Sequence, residues 1–174
     1  MNASSVLGIA TGPASDIYNV ALTAHILFAI AGFGSVMLNG VYLTKARRLL
    51  GPHGRAVSEV NYSVSAIAEV LILLVPVSGF ALVWVSAGSW ELSSTWLSAS
   101  SALFLVAFVI SRAVLRPGHR RINQLFGSLE GEPSDEQTTL AEIDRQLRTN
   151  AIAGAALNVL LVVILALMIW KPGA

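Results

Sequence analysis

Four apolar runs, each long enough to cross a lipid bilayer, constrain this chain more than any other feature. A helix rises 1.5 Å per residue and therefore crosses about 30 Å of hydrocarbon in about 20 residues. The runs that meet this length are residues 19–43, 62–86, 95–116 and 150–170. The sequence predicts an all-α fold, an integral membrane four-helix bundle in which residues 1–174 form a single transmembrane domain.

The composition agrees with a surface that faces lipid. Hydrophobic residues make up 55% of the chain and charged residues only 12%, about half the charged fraction of an average soluble domain. The absence of cysteine excludes disulfides, thiolate metal sites, iron–sulfur clusters and cysteine nucleophiles. The net charge of +1 gives no reason to expect a nucleic-acid partner. The expected partners are the lipid bilayer and either another membrane protein or a second copy of this chain.

The distribution of basic residues predicts the orientation of the spans. The loop 44–61 carries Lys45, Arg47, Arg48 and Arg55. The loop 117–149 carries Arg120, Arg121, Arg145 and Arg148. The charged residues on the other side are Asp16, Glu91 and Lys171. Because Lys and Arg are concentrated in cytoplasmic loops, we expect a multi-pass protein of the bacterial inner membrane, with both loops in the cytoplasm and both termini outside.

The second basic loop contains a predicted helix. Within EGEPSDEQTTLAEIDRQLRTN, Ser134 followed by Gln137 is a capping-box pattern. Three apolar residues share one face of this helix: Leu140, Ile143 and Leu147. We interpret the segment as a short cytoplasmic helix that extends the fourth span and rests on the bundle; the alternative is a helix that binds a partner.

Ionisable side chains inside the spans are costly in lipid and are therefore candidates for a defined role. Because successive spans run in opposite directions, four polar residues fall in the cytoplasmic half of the bilayer: Glu69, Arg112, Asn39 and Asn158. We predict an intramembrane polar layer with an ion pair between Glu69 and Arg112. The pair either fixes the register of the helices or, in the alternative interpretation, Glu69 forms a proton or ligand site.

His25 lies in the outer half of the bilayer, at the level of Ser78 and Ser100. One interpretation is a neutral imidazole hydrogen-bonded to a serine or a carbonyl group. The other is a ligand to haem iron or copper, or a proton-accepting group in a quinone pocket. His53 and His119 lie in the predicted cytoplasmic loops, so the spans offer no second histidine for a bis-histidine haem. His25, Ser78 and Ser100 are the candidate cofactor-binding residues, and His25 is the candidate metal ligand.

Three sequence motifs together resemble a family of predicted bacterial four-helix membrane proteins of unknown function. They are AHILFAIAGFGS, STWLSASSALFLVAFVISRAVLRPGHRRI and LMIWKPG. That family is distantly similar to the HemJ-type protoporphyrinogen oxidases and the CopD-type copper-resistance proteins. The resemblance implies the four-helix fold and places His25 where HemJ-type enzymes have a haem-ligating histidine. The cofactor is unknown from the sequence, and haem b is the candidate. HemJ-type enzymes also carry a lysine shortly after a Trp-Leu pair. Counted from Trp96 and Leu97, this chain has Ser100 there, so the resemblance does not imply the HemJ reaction.

The spans and loops contain no metalloprotease motif, phosphate-binding loop or dinucleotide fingerprint, and we name no catalytic residue. The first functional hypothesis is therefore an accessory or structural subunit of a membrane assembly, rather than an enzyme. The second is a haem- or quinone-binding bundle of redox or tetrapyrrole metabolism, with His25 as ligand. The third is a small oligomeric transporter that uses Glu69.

Overall fold

The computed structural model describes residues 12–49, 51–129 and 136–173. Within these ranges the chain forms helices and no strand, which confirms the all-α prediction. The elements are α1 (Asp16–Leu49), α2 (Gly51–Val85), α3 (Thr95–Ile110), a π-helical segment (Ser111–Leu115), α4 (Arg116–Ser128) and α5 (Glu136–Trp170).

Four continuous helices are long and apolar enough to cross a membrane, as the four apolar runs predicted. Three of them are α1, α2 and α5. The fourth is Thr95–Ser128, which joins α3, the π-helical segment and α4. Each has 34 or 35 residues, a length of about 51 Å or slightly more. Because the hydrocarbon is only about 30 Å thick, each helix extends beyond it.

Helices α1 and α2 approach each other closely at two glycines. A Cβ atom at Gly32 would lie 2.9 Å from Ile72 Cγ1 and 3.1 Å from the Ile72 amide nitrogen. A Cβ at Gly54 would lie 2.6 Å from the carbonyl oxygen of Ala46. Small residues allow this approach in lipid, where no hydrophobic force drives helices together. In the stretch GFGS, Gly32 serves this role, whereas a Cβ at Gly34 would meet no atom within 4 Å.

An apolar core cluster joins side chains of α1, α4 and α5. Its members are Leu43, Ala46, Ile122, Leu125, Phe126 and Ile143. The sequence analysis missed α4 because it read Arg-Pro-Gly as the end of the third span. Pro117 lies two residues after the π-helical segment, and the helix continues through it to Ser128. The spacing of Ile122, Leu125 and Phe126 is the signal that could have revealed this helix.

The predicted capping residue Ser134 lies outside the described residues, and α5 continues without a break from Glu136. Ile143 is fully buried in the core cluster, and Leu140 and Leu147 pack against it. This helical face is therefore covered by the bundle itself. Arg47 Nε donates a 2.7 Å hydrogen bond to Asp144 Oδ1, which joins α1 to α5 beyond the apolar run 150–170 and lowers the pKa of the Asp144 carboxyl group.

The two ends of the bundle differ in chemistry. One end, here called the basic end, carries Lys45, Arg47 and Arg48. The opposite end, here called the tryptophan end, carries a cluster in which Trp90 Nε1 donates a 3.1 Å hydrogen bond to Tyr18 Oη. The Lys171 ammonium lies 3.8 Å from the centroid of the Trp90 ring. Aromatic and basic side chains of this kind are enriched where helices leave the hydrocarbon.

Candidate functional site

An apolar cavity of about 390 Å³ lies among the four long helices, in the half of the bundle nearer the tryptophan end. His25 from α1 and Ser100 from α3 are on its wall. Aromatic rings supply much of the rest of the lining: Phe33, Phe80, Phe104 and Phe108. Its volume lies within the range of about 300–1,000 Å³ that small-molecule sites occupy.

The cavity follows from how the helices pair. Helix α1 packs along α2, and α3 packs against α5, but α2 and α3 do not pack closely against each other. The side of the cavity formed by α2 carries Pro76 and Gly79. Glycine supplies no side chain, so α2 leaves room at Gly79 for the ring of His25 from α1.

The His25 imidazole uses that room. Its Nδ1 lies 3.0 Å from the carbonyl oxygen of Val75 and 3.1 Å from Ser78 Oγ. Since a carbonyl oxygen only accepts hydrogen bonds, this geometry assigns the ring proton to Nδ1. The ring packs on Gly79, where a Cβ would lie 3.3 Å from His25 Cε1. The lone pair of Nε2 is thereby left for a ligand, the same arrangement that orients metal-binding histidines elsewhere.

The two predicted serines take different places. Ser78 contacts His25 directly, as given above. Ser100 lies on the cavity wall, but its hydroxyl donates a 2.7 Å hydrogen bond to the carbonyl oxygen of Trp96. Its proton is therefore committed within α3. Ser101 also lines the cavity, and the sequence analysis did not single it out.

The fit of these residues to a haem depends on the cavity walls and on His25. Apolar and aromatic walls suit a porphyrin ring, and the Nε2 lone pair of His25 suits its iron. The described residues contain no group of three or more His, Asp or Glu side chains placed to hold a metal ion. A single histidine donor therefore suits the iron of a haem, whose other ligands come from the porphyrin, better than it suits a bare metal ion. His119, which is buried, lines a separate cavity at the basic end.

The predicted partners Glu69 and Arg112 form an ion pair. Arg112 Nη1 donates a 3.1 Å hydrogen bond to Glu69 Oε2. Arg116 Nη1 lies 3.3 Å from the same oxygen, a partner that the sequence analysis missed because it placed Arg116 at the end of the span. The two ion pairs join α2 to the π-helical segment and to α4.

The two asparagines of the predicted layer lie elsewhere. Asn39 is buried and its Oδ1 lies 3.1 Å from Ser65 Oγ on α2. Asn158 is half-buried. Among the described residues no hydrogen bond joins either asparagine to the ion pair of Glu69, and both line the cavity at the basic end. The described hydrogen bonds therefore do not join the four side chains into one network.

Comparison with known proteins identifies the family. The model of the family DUF2269, described as predicted integral membrane proteins, matches residues 19–172. The chain belongs to this family. No curated protein and no solved structure matches it.

Proposed function

We propose that this DUF2269 member binds haem b in the apolar cavity, where Nε2 of His25 would hold the iron. The observation that carries the proposal is a histidine held by its Nδ1 on the wall of an apolar cavity of about 390 Å³. The likeness of AHILFAIAGFGS to the start of HemJ-type bundles supports the same residue.

Each neighbouring group has a defined part in this proposal. The Val75 carbonyl fixes the tautomer of His25, and Ser78 holds the ring in place, which raises the basicity of Nε2. The phenylalanine rings keep water out of the cavity. Bound haem would supply one-electron chemistry, and its potential would follow from this ligand and the apolar walls.

Charge placement supports an orientation for the site. The basic end carries most of the Lys and Arg and by the positive-inside rule faces the cytoplasm. Both termini and the tryptophan end then lie on the outer side of a bacterial inner membrane, and His25 lies in the outer half of the bilayer. A redox partner would reach this site from that side.

The other two hypotheses receive different support. A subunit of a larger membrane assembly remains compatible with a bound haem, because such subunits carry cofactors for their partners. The described residues give no surface that identifies a partner. For transport through Glu69, the carboxylate already pairs with Arg112 and Arg116, and this supports a role in joining helices.

The test is an absorption spectrum of the purified protein, oxidised and reduced, after expression with ample haem supply. The wild type and His53→Ala, a matched control because His53 is exposed in α2, are expected to show a Soret band. His25→Ala is expected to lose it while keeping its helical circular dichroism and its elution volume. A colourless wild type, or a Soret band that survives in His25→Ala, would refute the proposal.

A further inference from the structure

A second, larger cavity of about 650 Å³ lies at the basic end, between α1, α5 and the start of α4. It lies at the opposite end from the His25 cavity and uses none of the residues assigned to haem. Its lining changes from charged to apolar: Lys45 and Arg48 at one side, the amides of Asn39 and Asn150 within, and small and apolar residues along α1 and α5. The same order, from a charged group to an apolar chain, is found along an amphiphilic molecule.

The two cations at this cavity have no acidic partner among the described residues. Their neighbour Arg47 pairs with Asp144. Lys45 and Arg48 form no ion pair and no side-chain hydrogen bond with any residue in the described part of the chain. Two unpaired cations side by side on one turn of α1 are suited to a phosphate group, which accepts several charge-assisted hydrogen bonds.

Asn150 provides an independent indication of a ligand. It is only 5% exposed, and neither Oδ1 nor Nδ2 has a hydrogen-bond partner among the described residues. Gly118 of α4 packs against this side chain so closely that a Cβ would collide with it. A buried amide left unpaired on both atoms costs about 1–3 kcal/mol per group. A ligand oxygen that reached this amide would give Nδ2 an acceptor, and a ligand hydroxyl would give Oδ1 a donor.

The remaining lining is open toward the hydrocarbon. Met37 and Val41 expose more than half of their surface, and Ala151 and Ala155 continue the wall on α5. A Cβ placed at Gly154 would meet no atom within 4 Å. The groove therefore has width to spare beside α5, as an acyl chain requires.

We propose that this cavity binds an anionic phospholipid of the cytoplasmic leaflet. Lys45 and Arg48 hold its phosphate, Asn150 meets the polar glycerol ester region, and one acyl chain lies along Gly154 between α1 and α5. Basic pockets between helices on the cytoplasmic side bind anionic head groups in this way. The bound lipid would fill the space that α1 and α5 leave between them.

The experiment is native mass spectrometry of the full-length protein in mild detergent, titrated with phosphatidylglycerol or phosphatidylcholine. We expect phosphatidylglycerol to bind more tightly than phosphatidylcholine. Lys45→Gln combined with Arg48→Gln is expected to weaken phosphatidylglycerol binding about thirty-fold, the equivalent of about 1 kcal/mol for each basic side chain. Arg120→Gln, which removes a charge from an exposed position on α4 outside the cavity, should leave the affinity unchanged.

Two further variants test the interior of the site. Gly154→Leu fills the groove without meeting another atom at its Cβ and should weaken lipid binding, whereas Gly34→Leu, a matched control outside the cavity, should not. Asn150→Ala should weaken binding without lowering the stability of the lipid-free protein, because the amide has no partner to lose.

Three results would overturn the proposal. The first is equal affinity for both lipids. The second is an equal loss of affinity in Arg120→Gln and the double variant. The third is inorganic phosphate, added in excess, displacing phosphatidylglycerol completely while Gly154→Leu binds normally, which would make the occupant a soluble phosphate compound. None of these results depends on the absorption spectrum that tests haem binding.

Discussion

The close approach of α1 to α2 yields a prediction in which one stretch of sequence supplies its own control. In GFGS, Gly32 faces α2 at a distance that leaves no space for a Cβ, and Gly34, two residues later, faces open space. Replacing either by alanine improves helix propensity by about 1 kcal/mol. That contribution is the same for both variants and cancels when they are compared.

The difference between Gly32→Ala and Gly34→Ala therefore isolates the packing term. At Gly32 the new methyl group would lie 2.9 Å from Ile72 Cγ1 and 3.1 Å from the Ile72 amide nitrogen. The side chain can rotate, but the backbone atom cannot give way unless the helices separate. Overpacking of this kind costs about 1–3 kcal/mol. We expect Gly32→Ala to be less stable than Gly34→Ala by that amount.

The assay is reversible unfolding in mixed micelles, with the helical circular dichroism followed as the denaturing detergent increases. His25 precedes Gly32 on α1 by about two turns, so a separation of α1 from α2 also draws Nδ1 of His25 away from the Val75 carbonyl. Gly32→Ala should consequently hold less of the proposed haem than Gly34→Ala. Equal unfolding midpoints for the two variants would refute the packing argument.

The remaining predictions concern two residues of α2, Gly79 and Glu69. Gly79→Ala places a Cβ 3.3 Å from His25 Cε1. We expect this variant to bind haem about tenfold more weakly, as outer-shell changes at metal sites do. Absorption titration with haem measures the affinity, and an unchanged affinity would contradict the contact. Glu69→Gln should cost less than about 1 kcal/mol, because its two arginine partners are 46% and 50% exposed and can extend toward the basic end. A loss above about 3 kcal/mol in the same unfolding assay would instead mean a fully buried ion pair.

The sequence was enough to predict features that depend on a single helix. It was not enough to predict features that depend on how the helices face one another. Run length and hydropathy were enough to predict four spans, because the lipid sets both requirements without reference to other helices. Depth counting also brought Glu69 toward Arg112, and His25 toward Ser78, since both pairs depend on the rise per residue alone. It could not give the rotation of each helix, which decides that Asn39 faces Ser65.

The two cavities could not have been predicted, since each depends on how far apart neighbouring helices lie. The space beside His25 exists because α2 and α3 stay apart, and neither helix carries a sequence signal for that distance. Helix α4 was not predicted for a related reason. Pro117 suggested a break in the helix, whereas the apolar residues of α4 in the core cluster stabilise the segment as a helix.

The Lys and Arg residues at the basic end fall into two groups that only the structure distinguishes. The positive-inside rule treats every Lys and Arg at this end alike. In the fold, Arg47, Arg112 and Arg116 face carboxylates on neighbouring helices and act as links between them. Lys45 and Arg48 line a cavity and have no acidic partner in the described residues. The three paired arginines link the helices. Lys45 and Arg48 are the basic residues that would bind the phosphate of the proposed lipid.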